Sequence, residues 1–443
     1  MGNSQLPTGQ FRHAVVAGAS MAGLLAARVL ADHFDRVTLI ERDKLPSRPE
    51  ARKGVPQGRH THLLLARGLQ ILDSLFPSIA DELRTAGAIT VNAGREIAWH
   101  HAGGWRTTYD SDICLLTMTR PLLETRVAER VRALPNVTLL ENERVVGVRS
   151  NQGAVVGVEV GRHDALEADL VVDATGRGSA MPKWLEQLGC SAPATDDIPV
   201  PLTYSTCQFR RNGRASDRRA LVVTGPGARR SGFAFAVEED RWLVTLAGMF
   251  DEPAPRGHEA FLAFARSLPV ADLHDEIRGL EPLSNPVQYG FTGSRWRRYD
   301  RLKTLPAGLI ATGDAVCSFN PVFGQGMTVA ALEAETLAQA VSQAGLGGTL
   351  DPRLPHRWYR QIGRHINVAW QGVYLDDLRF PELADRTPAT LRPLQWYLDR
   401  VHRATHRSAA ATEQFYRVIG FLDPPTALFR PRVIAEALRA APR

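Results

Sequence analysis

Residues 13–23 read HAVVAGASMAG, and this stretch decides the interpretation of the fold. Its first five residues are a short apolar run that predicts a buried strand, and the helical string MAGLLAARVLADHF follows over residues 21–34. A second apolar run occupies residues 37–40. A strand, a helix and a second strand within about 30 residues have the size of a parallel βαβ unit.

The turn between the first strand and the helix matches the pattern G-x-G-x-x-G, with Ser20 in place of the middle glycine. Gly18 allows a tight turn and Gly23 allows helix and strand to pack closely, while the helix start offers N–H groups to a pyrophosphate. Glu41 ends the second strand, where an acid can accept hydrogen bonds from ribose hydroxyls. The alternative is a βα turn whose glycines serve only packing. The dinucleotide-binding residues predicted here are Gly18, Ser20, Met21, Ala22, Gly23, Glu41 and Arg42.

A second glycine-rich segment, GLIATGDAVCSFNPVFGQGMT, covers residues 308–328. A buried strand ends at Gly313 and Asp314, and an acid at such a strand end can hold sugar-like hydroxyls. The Gly324–Gly326 turn leads into a helix, whose N–H groups can stabilise an anion such as a reduced flavin ring. The alternative is a glycine-rich turn that only caps a core helix.

With these motifs, the chain resembles the FAD-dependent monooxygenases of the aromatic-hydroxylase superfamily, which carry a GD motif followed by P-x-x-G-Q-G. The resemblance implies that Asp314 binds the ribityl chain of FAD and that residues 321–327 lie against the isoalloxazine ring. It also implies that Arg120 contacts the ribityl and phosphate region, the alternative being a solvated arginine at a helix terminus. Val146 would pack by the adenine, unless it is only a core residue. The residues implied are Arg120, Val146, Gly313, Asp314, Pro321, Gly324, Gln325, Gly326 and Met327.

The fold class expected from these patterns is α/β. A Rossmann-like FAD-binding domain would cover residues 11–195 and 296–350, interrupted by an antiparallel β-sheet substrate domain at 196–295 and followed by a helical region at 351–443. Within the inserted part, FAFAV and RWLVTLAGM are joined by the polar EED, as in a hairpin. Apolar residues recur at helical spacing over residues 61–75.

Composition excludes several other classes of protein. The net charge of +6 comes from 53 basic and 47 acidic residues, scattered without a run of like charges, which argues against nucleic-acid binding. No segment approaches the roughly 18 continuous apolar residues of a membrane span. Four cysteines without C-x-x-C spacing indicate neither a disulfide framework nor a metal site, so we expect a cytoplasmic protein without a metal.

The tail of the second motif, GQGMTVA, is similar to that of squalene-type epoxidases, and residues 56–77 and 423–433 look like those of bacterial epoxidases that act on polyene and polyether precursors. The resemblance implies a monooxygenase of bacterial secondary metabolism, such as polyketide biosynthesis. NAD(P)H would reduce the flavin, O₂ would form a flavin hydroperoxide, and one oxygen would pass to a hydrophobic small molecule by epoxidation or hydroxylation. A same-fold alkene reductase or redox-neutral cyclase is the alternative. The halogenase string W-x-W-x-I-P is absent from the sequence.

No side chain stands out as a catalytic acid, base or nucleophile, so the catalytic residues are unknown at this stage. This is compatible with a flavin that supplies the difficult chemistry. His60 and His62 are expected to be structural rather than catalytic, and Cys317 to be a packed thiol. Phe319 and Phe323 belong either to a substrate pocket or to the core.

Overall fold

The computed structural model describes residues 11–211, 218–346 and 349–440 as a mixed α/β fold. The strands, in chain order, are β1 (Phe11–Ala17), β2 (Phe34–Glu41), β3 (Ile89–Asn92), β4 (Ile97–His101), β5 (Gly104–Trp105), β6 (Cys114–Thr117), β7 (Val137–Glu141), β8 (Val145–Asn151), β9 (Ala154–Val160), β10 (His163–Glu167), β11 (Leu170–Asp173), β12 (Thr195–Ile198), β13 (Leu202–Arg210), β14 (Ala220–Val223), β15 (Arg230–Val237), β16 (Arg241–Met249), β17 (Val287–Phe291), β18 (Ser294–Arg297), β19 (Leu309–Ala311), β20 (Cys317–Ser318), β21 (Gly345–Leu346) and β22 (Thr349–Leu350). The helices are α1 (Met21–Leu30), α2 (Ala66–Leu75), α3 (Ile79–Thr85), α4 (Arg120–Arg132), α5 (Met181–Gln187), α6 (His258–Arg266), α7 (Asp272–Ile277), α8 (Gly326–Gln343), α9 (Leu354–Asp377), α10 (Arg392–Ala404), α11 (Ala409–Ile419) and α12 (Pro431–Arg439).

The first sheet is parallel and has the strand order β19-β11-β1-β2-β7. Ala17 pairs with both Ile40 and Asp173, and Asp173 pairs with Ala311. The carboxyl ends of four strands are therefore level along one edge, although they lie far apart in sequence. Ligands of open α/β sheets bind at this edge, and the Rossmann-like prediction is confirmed.

Apolar side chains bury both the sheet and its first helix. β1 is buried at every position except Arg12, and α1 packs against α4 and α8. The antiparallel meander β8–β10 packs against β11 through β9. The glycine-rich turns at the sheet edge are thus held by a closed core behind them.

The second large sheet has the strand order β17-β13-β16-β15-β14-β4-β5. FAFAV and RWLVTLAGM form the paired strands β15 and β16, as their alternation predicts. The sheet also recruits β4 and β5 from outside the predicted segment 196–295, with β4 running parallel to β14. The sequence IAWHH of β4 has no clean alternation of apolar and polar residues, so its place in the sheet depends on tertiary packing.

Helix α2 begins at Ala66, not at residue 61 as the spacing of apolar residues suggests. The preceding residues are held by tertiary hydrogen bonds instead: Thr61 N–H donates to Thr245 Oγ1 over 3.1 Å, and Leu65 N–H donates to Thr328 Oγ1 over 3.0 Å. These bonds satisfy two backbone donors of the segment by tertiary contacts and not by helical turns.

The last helices, α10, α11 and α12, pack on one another. Phe415 and Tyr416 of α11 belong to a buried apolar cluster with Ala66 of α2 and Leu115 of β6. The helical region therefore closes over the space between the two sheets. Along the described chain, no helix combines the length and the apolar character that a bilayer crossing requires.

Candidate active site

A cavity of about 1150 Å³ is lined by the carboxyl edge of the parallel sheet, the large sheet and the C-terminal helices. Its lining includes these residues of the two predicted sites: Gly18, Ser20, Met21, Ala22, Glu41, Arg42, Arg120, Gly313, Asp314, Pro321, Gly324, Gln325, Gly326 and Met327. Two predicted residues are not in this lining. Gly23 is buried beneath the turn, and Val146 is 52% exposed, whereas its neighbour Val145 does line the cavity.

The first glycine-rich turn is fixed by close backbone contacts. Gly18 has a φ of 98°, and a Cβ there would lie 2.5 Å from the carbonyl oxygen of Ala174. A Cβ on Gly23 would lie 1.8 Å from the carbonyl oxygen of Gly18. Ser20 precedes α1 without capping it through its side chain, so the first N–H groups of the helix remain available to an anion.

Ser20, the departure from the glycine pattern, is held in a network with two residues of α4. Its hydroxyl donates to Glu124 Oε1 over 2.7 Å and accepts from Arg120 Nη2 over 2.8 Å. Arg120 Nε also donates to Glu124 Oε1 over 2.9 Å. Arg120 is buried, so the alternative of a solvated helix-terminal arginine is wrong. The network places a guanidinium beside the turn.

A second arginine, which the sequence did not single out, lies against the same turn. Arg52 Nη2 donates to the carbonyl oxygen of Ala19 over 2.9 Å, and Arg52 Nη1 is 3.1 Å from Glu41 Oε2. That Glu41 oxygen also accepts the N–H of Ala19 over 2.8 Å. Glu41 therefore braces the turn while it lines the cavity. Arg52 pairs with Glu41, and Arg120 pairs with Glu124, beside the same turn.

The second site meets the first across the sheet edge. Gly313 has a φ of 62°, and a Cβ there would lie 2.7 Å from Cβ of Ala22. Asp314 opens onto the cavity but is surrounded by protein. Burial therefore raises the pKa of its carboxyl, and Arg120 and then Arg177 act in the opposite direction. Segments almost 300 residues apart thus form one pocket.

Glu333 of α8 holds the GD turn from behind. Its Oε2 accepts the Thr312 hydroxyl and the Gly313 N–H, each over 2.6 Å. Complete burial raises the pKa of Glu333 to about 7, and these two hydrogen bonds act in the opposite direction. Glu333 is therefore a positioning residue whose charge state changes near neutral pH.

Glu333→Gln is expected to remove a pH dependence of stability. Because burial raises the pKa of the folded carboxyl from 4.5 to about 7, the native state binds more protons between these values. The contribution of Glu333 is full below pH 4.5 and falls by on the order of 3 kcal/mol as pH rises through 7. Thermal unfolding of wild type and Glu333→Gln between pH 5 and 8 measures this. If the unfolding temperatures of the two proteins changed with pH in the same way, the assignment of this pH dependence to Glu333 would be wrong.

The loop before α8 leaves space beside the GD turn. Asn320 Oδ1 accepts the N–H of Val322 over 3.1 Å and so fixes the Pro321 turn. A Cβ on Gly324 or Gly326 would meet no atom within 4 Å. Gln325 Oε1 is buried and has no hydrogen-bond partner in the described part of the chain. An open cradle with an orphaned buried oxygen fits a bound group such as the flavin ring.

Comparison of the sequence with known proteins identifies the family of this chain. Over 452 aligned residues the chain is 34% identical to Protein Rv3254 of Mycobacterium tuberculosis, covering 96% of this chain and 94% of that protein. It is 25% identical over 425 residues to kynurenine 3-monooxygenase of Salinispora arenicola, covering 90% and 83% of the two chains. A family model described as FAD dependent oxidoreductase matches residues 14–184. The chain belongs to the FAD-dependent monooxygenases of the aromatic-hydroxylase superfamily.

Solved structures of flavin-dependent enzymes share the fold of this chain. The flavin-dependent brominase Bmp2 superimposes with a TM-score of 0.68 at 12% identity, covering 97% of this chain and 98% of the brominase. The p-nitrophenol 4-monooxygenase PnpA of Pseudomonas putida gives 0.64 at 19% identity, covering 93% and 98%. FAD is the cofactor that this family membership supports, and the pocket described above fits it.

His60 and His62 line the cavity, and both are neutral at pH 7 because burial lowers the pKa of His60 to about 4 and that of His62 to about 3. His62 Nδ1 donates to the carbonyl oxygen of His60 over 2.9 Å, and its Nε2 accepts from Arg120 Nη1 over 3.1 Å. His60 Nδ1 lies 2.7 Å from Thr206 Oγ1. His62 thereby positions Arg120, and the expectation that both histidines are structural stays a prediction.

Beyond the predicted FAD-binding residues, aromatic side chains line the cavity, and this part of it is called the aromatic chamber. Phe319 and Phe323 both line it; Phe319 also belongs to the main apolar core, and Phe323 packs against that core. Further aromatic lining residues come from the large sheet and α11: Trp99, Tyr204, Phe233, Phe235, Tyr289, Phe291, Phe415 and Tyr416. Cys317 is buried outside the lining, and burial raises the pKa of its thiol. In residues 11–211, 218–346 and 349–440, no group of three or more His, Cys, Asp or Glu side chains could hold a metal ion.

Proposed function

We propose that this protein uses FAD and NAD(P)H to transfer one oxygen atom from O₂ to a hydrophobic small molecule. The reaction is the hydroxylation of a ring or the epoxidation of an alkene, in bacterial secondary metabolism such as polyketide biosynthesis. The observation that carries this proposal is the continuity of one cavity, which Asp314 lines at the FAD-binding end and Phe415 lines among the aromatic residues. A flavin bound at the first end would face a substrate held in the second.

Several similar proteins are monooxygenases or hydroxylases of ring compounds, which supports oxygen transfer to an organic ring by this protein. They include kynurenine 3-monooxygenase, p-nitrophenol 4-monooxygenase and the anhydrotetracycline hydroxylase OxyS of Streptomyces rimosus. The aromatic chamber of this chain suits a substrate of similar apolar character, because aromatic side chains bind flat apolar molecules through stacking and dispersion.

Each part of the cofactor has a proposed set of protein partners. Asp314 accepts hydrogen bonds from the ribityl hydroxyls, and Glu41 accepts them from the adenosine ribose. The N–H groups at the start of α1 bind the pyrophosphate, and Arg52 and Arg120, each paired with a glutamate, lie beside the same turn. The start of α8, with Gly326, presents N–H donors to the pyrimidine side of the ring.

FAD, when bound and reduced by NAD(P)H, would activate O₂ so that one of the two oxygen atoms of O₂ is transferred and the other leaves as water. The protein itself binds the cofactor and the substrate, orients them towards each other, and excludes water. α11 covers the chamber with Phe415 and Tyr416, which limits the access of water to the reacting centre. His60 and His62 stay neutral and do not add charge near the flavin.

Isotope labelling tests the proposal. Under ¹⁸O₂ with NADPH or NADH, the holoenzyme is expected to give a product that carries one ¹⁸O atom, with O₂ uptake matching NAD(P)H consumption. The substrate panel includes p-nitrophenol, kynurenine and anhydrotetracycline for hydroxylation, and squalene for epoxidation. A hydroxylated ring and an epoxide of the same substrate have the same mass, so the proton NMR spectrum of the product separates them. Substrate turnover under strict anaerobiosis would contradict the proposal and favour an alkene reductase or a redox-neutral cyclase.

A further inference from the structure

Four polar residues form a cluster at one side of the aromatic chamber: His101 on β4, His402 on α10, Arg106 just after β5, and Thr224 just after β14. His101, His402 and Thr224 line the cavity, and Arg106 lies behind them. We call this group the His101–His402 cluster. None of its members belongs to the FAD-binding motifs.

The cluster lies far from the cofactor end of the cavity. Tyr204 on β13 marks that end: burial raises the pKa of its hydroxyl, and Arg120 and Asp314 are close enough for their charges to act on it. Four strand steps separate β13 from β4 in the large sheet. At about 4.8 Å for each step, they amount to roughly 19 Å across the sheet. A ligand that reaches from one end to the other is elongated.

His101 presents an unused polar atom to this far end. The residue is 6% exposed. With its proton on Nε2, its Nδ1 accepts the Thr224 hydroxyl over 2.9 Å, while Thr224 Oγ1 accepts the indole N–H of Trp99 over 2.8 Å. His101 Nε2 is buried and has no partner among the described residues. A buried imidazole nitrogen without a partner costs free energy unless a ligand or a water satisfies it.

His402 completes a pair of imidazoles. Its ring centroid is 4.3 Å from that of His101. Arg106 Nη2 donates to His402 Nδ1 over 3.5 Å, which leaves the His402 proton on Nε2. Burial lowers the pKa of His101 to about 2 and lowers that of His402 well below its usual value, so both rings are neutral at pH 7.

Arg106 gives the cluster an unbalanced positive charge. It is 5% exposed and lies between the rings of Trp99 and Phe415, at 4.2 and 3.9 Å from their centroids. Burial lowers its pKa to about 10, so it is charged at pH 7. Among the described residues, no carboxylate lies within 4 Å of its guanidinium. The nearby Arg379 differs, because Asp399 at 2.9 Å and Asp376 at 3.6 Å pair with it.

We propose that the His101–His402 cluster binds an anionic oxygen, that of a carboxylic acid or an acidic phenol, at the far end of an elongated apolar substrate. An unpaired buried cation is stabilised when an anion enters its low-dielectric surroundings, and the imidazoles supply hydrogen-bond donors to the same oxygen. This inference names the substrate class of the proposed monooxygenase. It rests on the proposed function only in treating the bound molecule as the substrate.

Calorimetric titration of the oxidised holoenzyme, without NAD(P)H, tests the binding directly. The probes are dodecanoate and dodecanamide, which share chain length and differ in charge. Wild type is expected to bind the acid at least tenfold more tightly than the amide at pH 7.5. His101→Leu is expected to reduce that preference to less than threefold while leaving the affinity for the amide within a factor of two.

Three further variants serve as controls for this test. His100→Leu removes the adjacent imidazole of β4, which does not line the cavity, and is expected to retain the full preference. His402→Gln keeps a side-chain N–H donor and provides a second test if His101→Leu loses FAD or folds poorly. It is expected to retain part of the preference, and His402→Leu is expected to lose most of it.

Equal binding of acid and amide by wild type would overturn the inference, and so would a preference that survives in both His101→Leu and His402→Leu. The result is independent of turnover. A preference for the acid without ¹⁸O transfer would reject the proposed function alone, whereas ¹⁸O transfer without a preference for acids would reject this inference alone.

Discussion

Asp314→Ala protein is expected to leave purification largely without FAD. The Asp314 carboxylate is open to the cavity beside Arg120 and Arg177, where it can accept hydrogen bonds from the ribityl chain. Loss of a charged hydrogen-bond acceptor costs roughly 1.5–3 kcal/mol, which is about 10- to 150-fold in the Kd for FAD. Flavin absorbance per protein, followed by titration of apoprotein with FAD, measures the effect.

Two further substitutions control this prediction. Asp164→Ala removes an exposed carboxylate on β10 and is expected to leave the flavin content unchanged. Asp314→Asn keeps one acceptor oxygen and is expected to fall between wild type and Asp314→Ala. Full retention of flavin in Asp314→Ala would show that the ribityl contact is misplaced.

Gly23→Val is expected to prevent formation of the first glycine-rich turn. Its Cβ would lie 1.8 Å from the carbonyl oxygen of Gly18. That oxygen belongs to the backbone, so the clash cannot be relieved by moving a side chain. Overpacking of this kind costs on the order of 3 kcal/mol or more. Chemical unfolding is expected to show this loss of stability, together with protein that does not bind FAD.

Gly290→Val is the matched control for that prediction. Gly290 lies on β17, has no positive φ, and a Cβ there would meet nothing within 4 Å. The control is expected to unfold within about 0.5 kcal/mol of wild type. A Gly23→Val protein that is as stable as Gly290→Val would disprove the close approach of α1 to the turn.

The parts of the site that sequence could predict are those built from local backbone rules. The βαβ unit, the GD turn and the glycine-rich start of α8 each need particular residues at fixed spacing, and the structure brings all three to one cavity. Val146 shows the limit of local inference. A β-rich run predicts a strand but not which side chains reach a ligand, and here Val145 lines the cavity instead.

The residues that sequence analysis missed act across long separations. Arg52 belongs to an irregular segment, and only its contact with Ala19 and Glu41 reveals it. His101 and His402 are 301 positions apart and meet only because β4 joins the large sheet and α10 folds back onto it. Glu333 offered a signal that could have been used: it is the first charged residue of α8 and directly follows the apolar run at residues 329–332.

The level carboxyl ends of β1, β2, β11 and β19 have a consequence for how this architecture diversifies. The loops that follow β1, β11 and β19, and the end of β2, all line the proposed FAD end of the cavity, whereas strands of the large sheet and helices α10 and α11 line the chamber. Chamber walls can therefore be exchanged or redesigned without moving the cofactor contacts. An engineer seeking a new substrate would vary β4, β14 and α10–α11 and leave the sheet edge untouched.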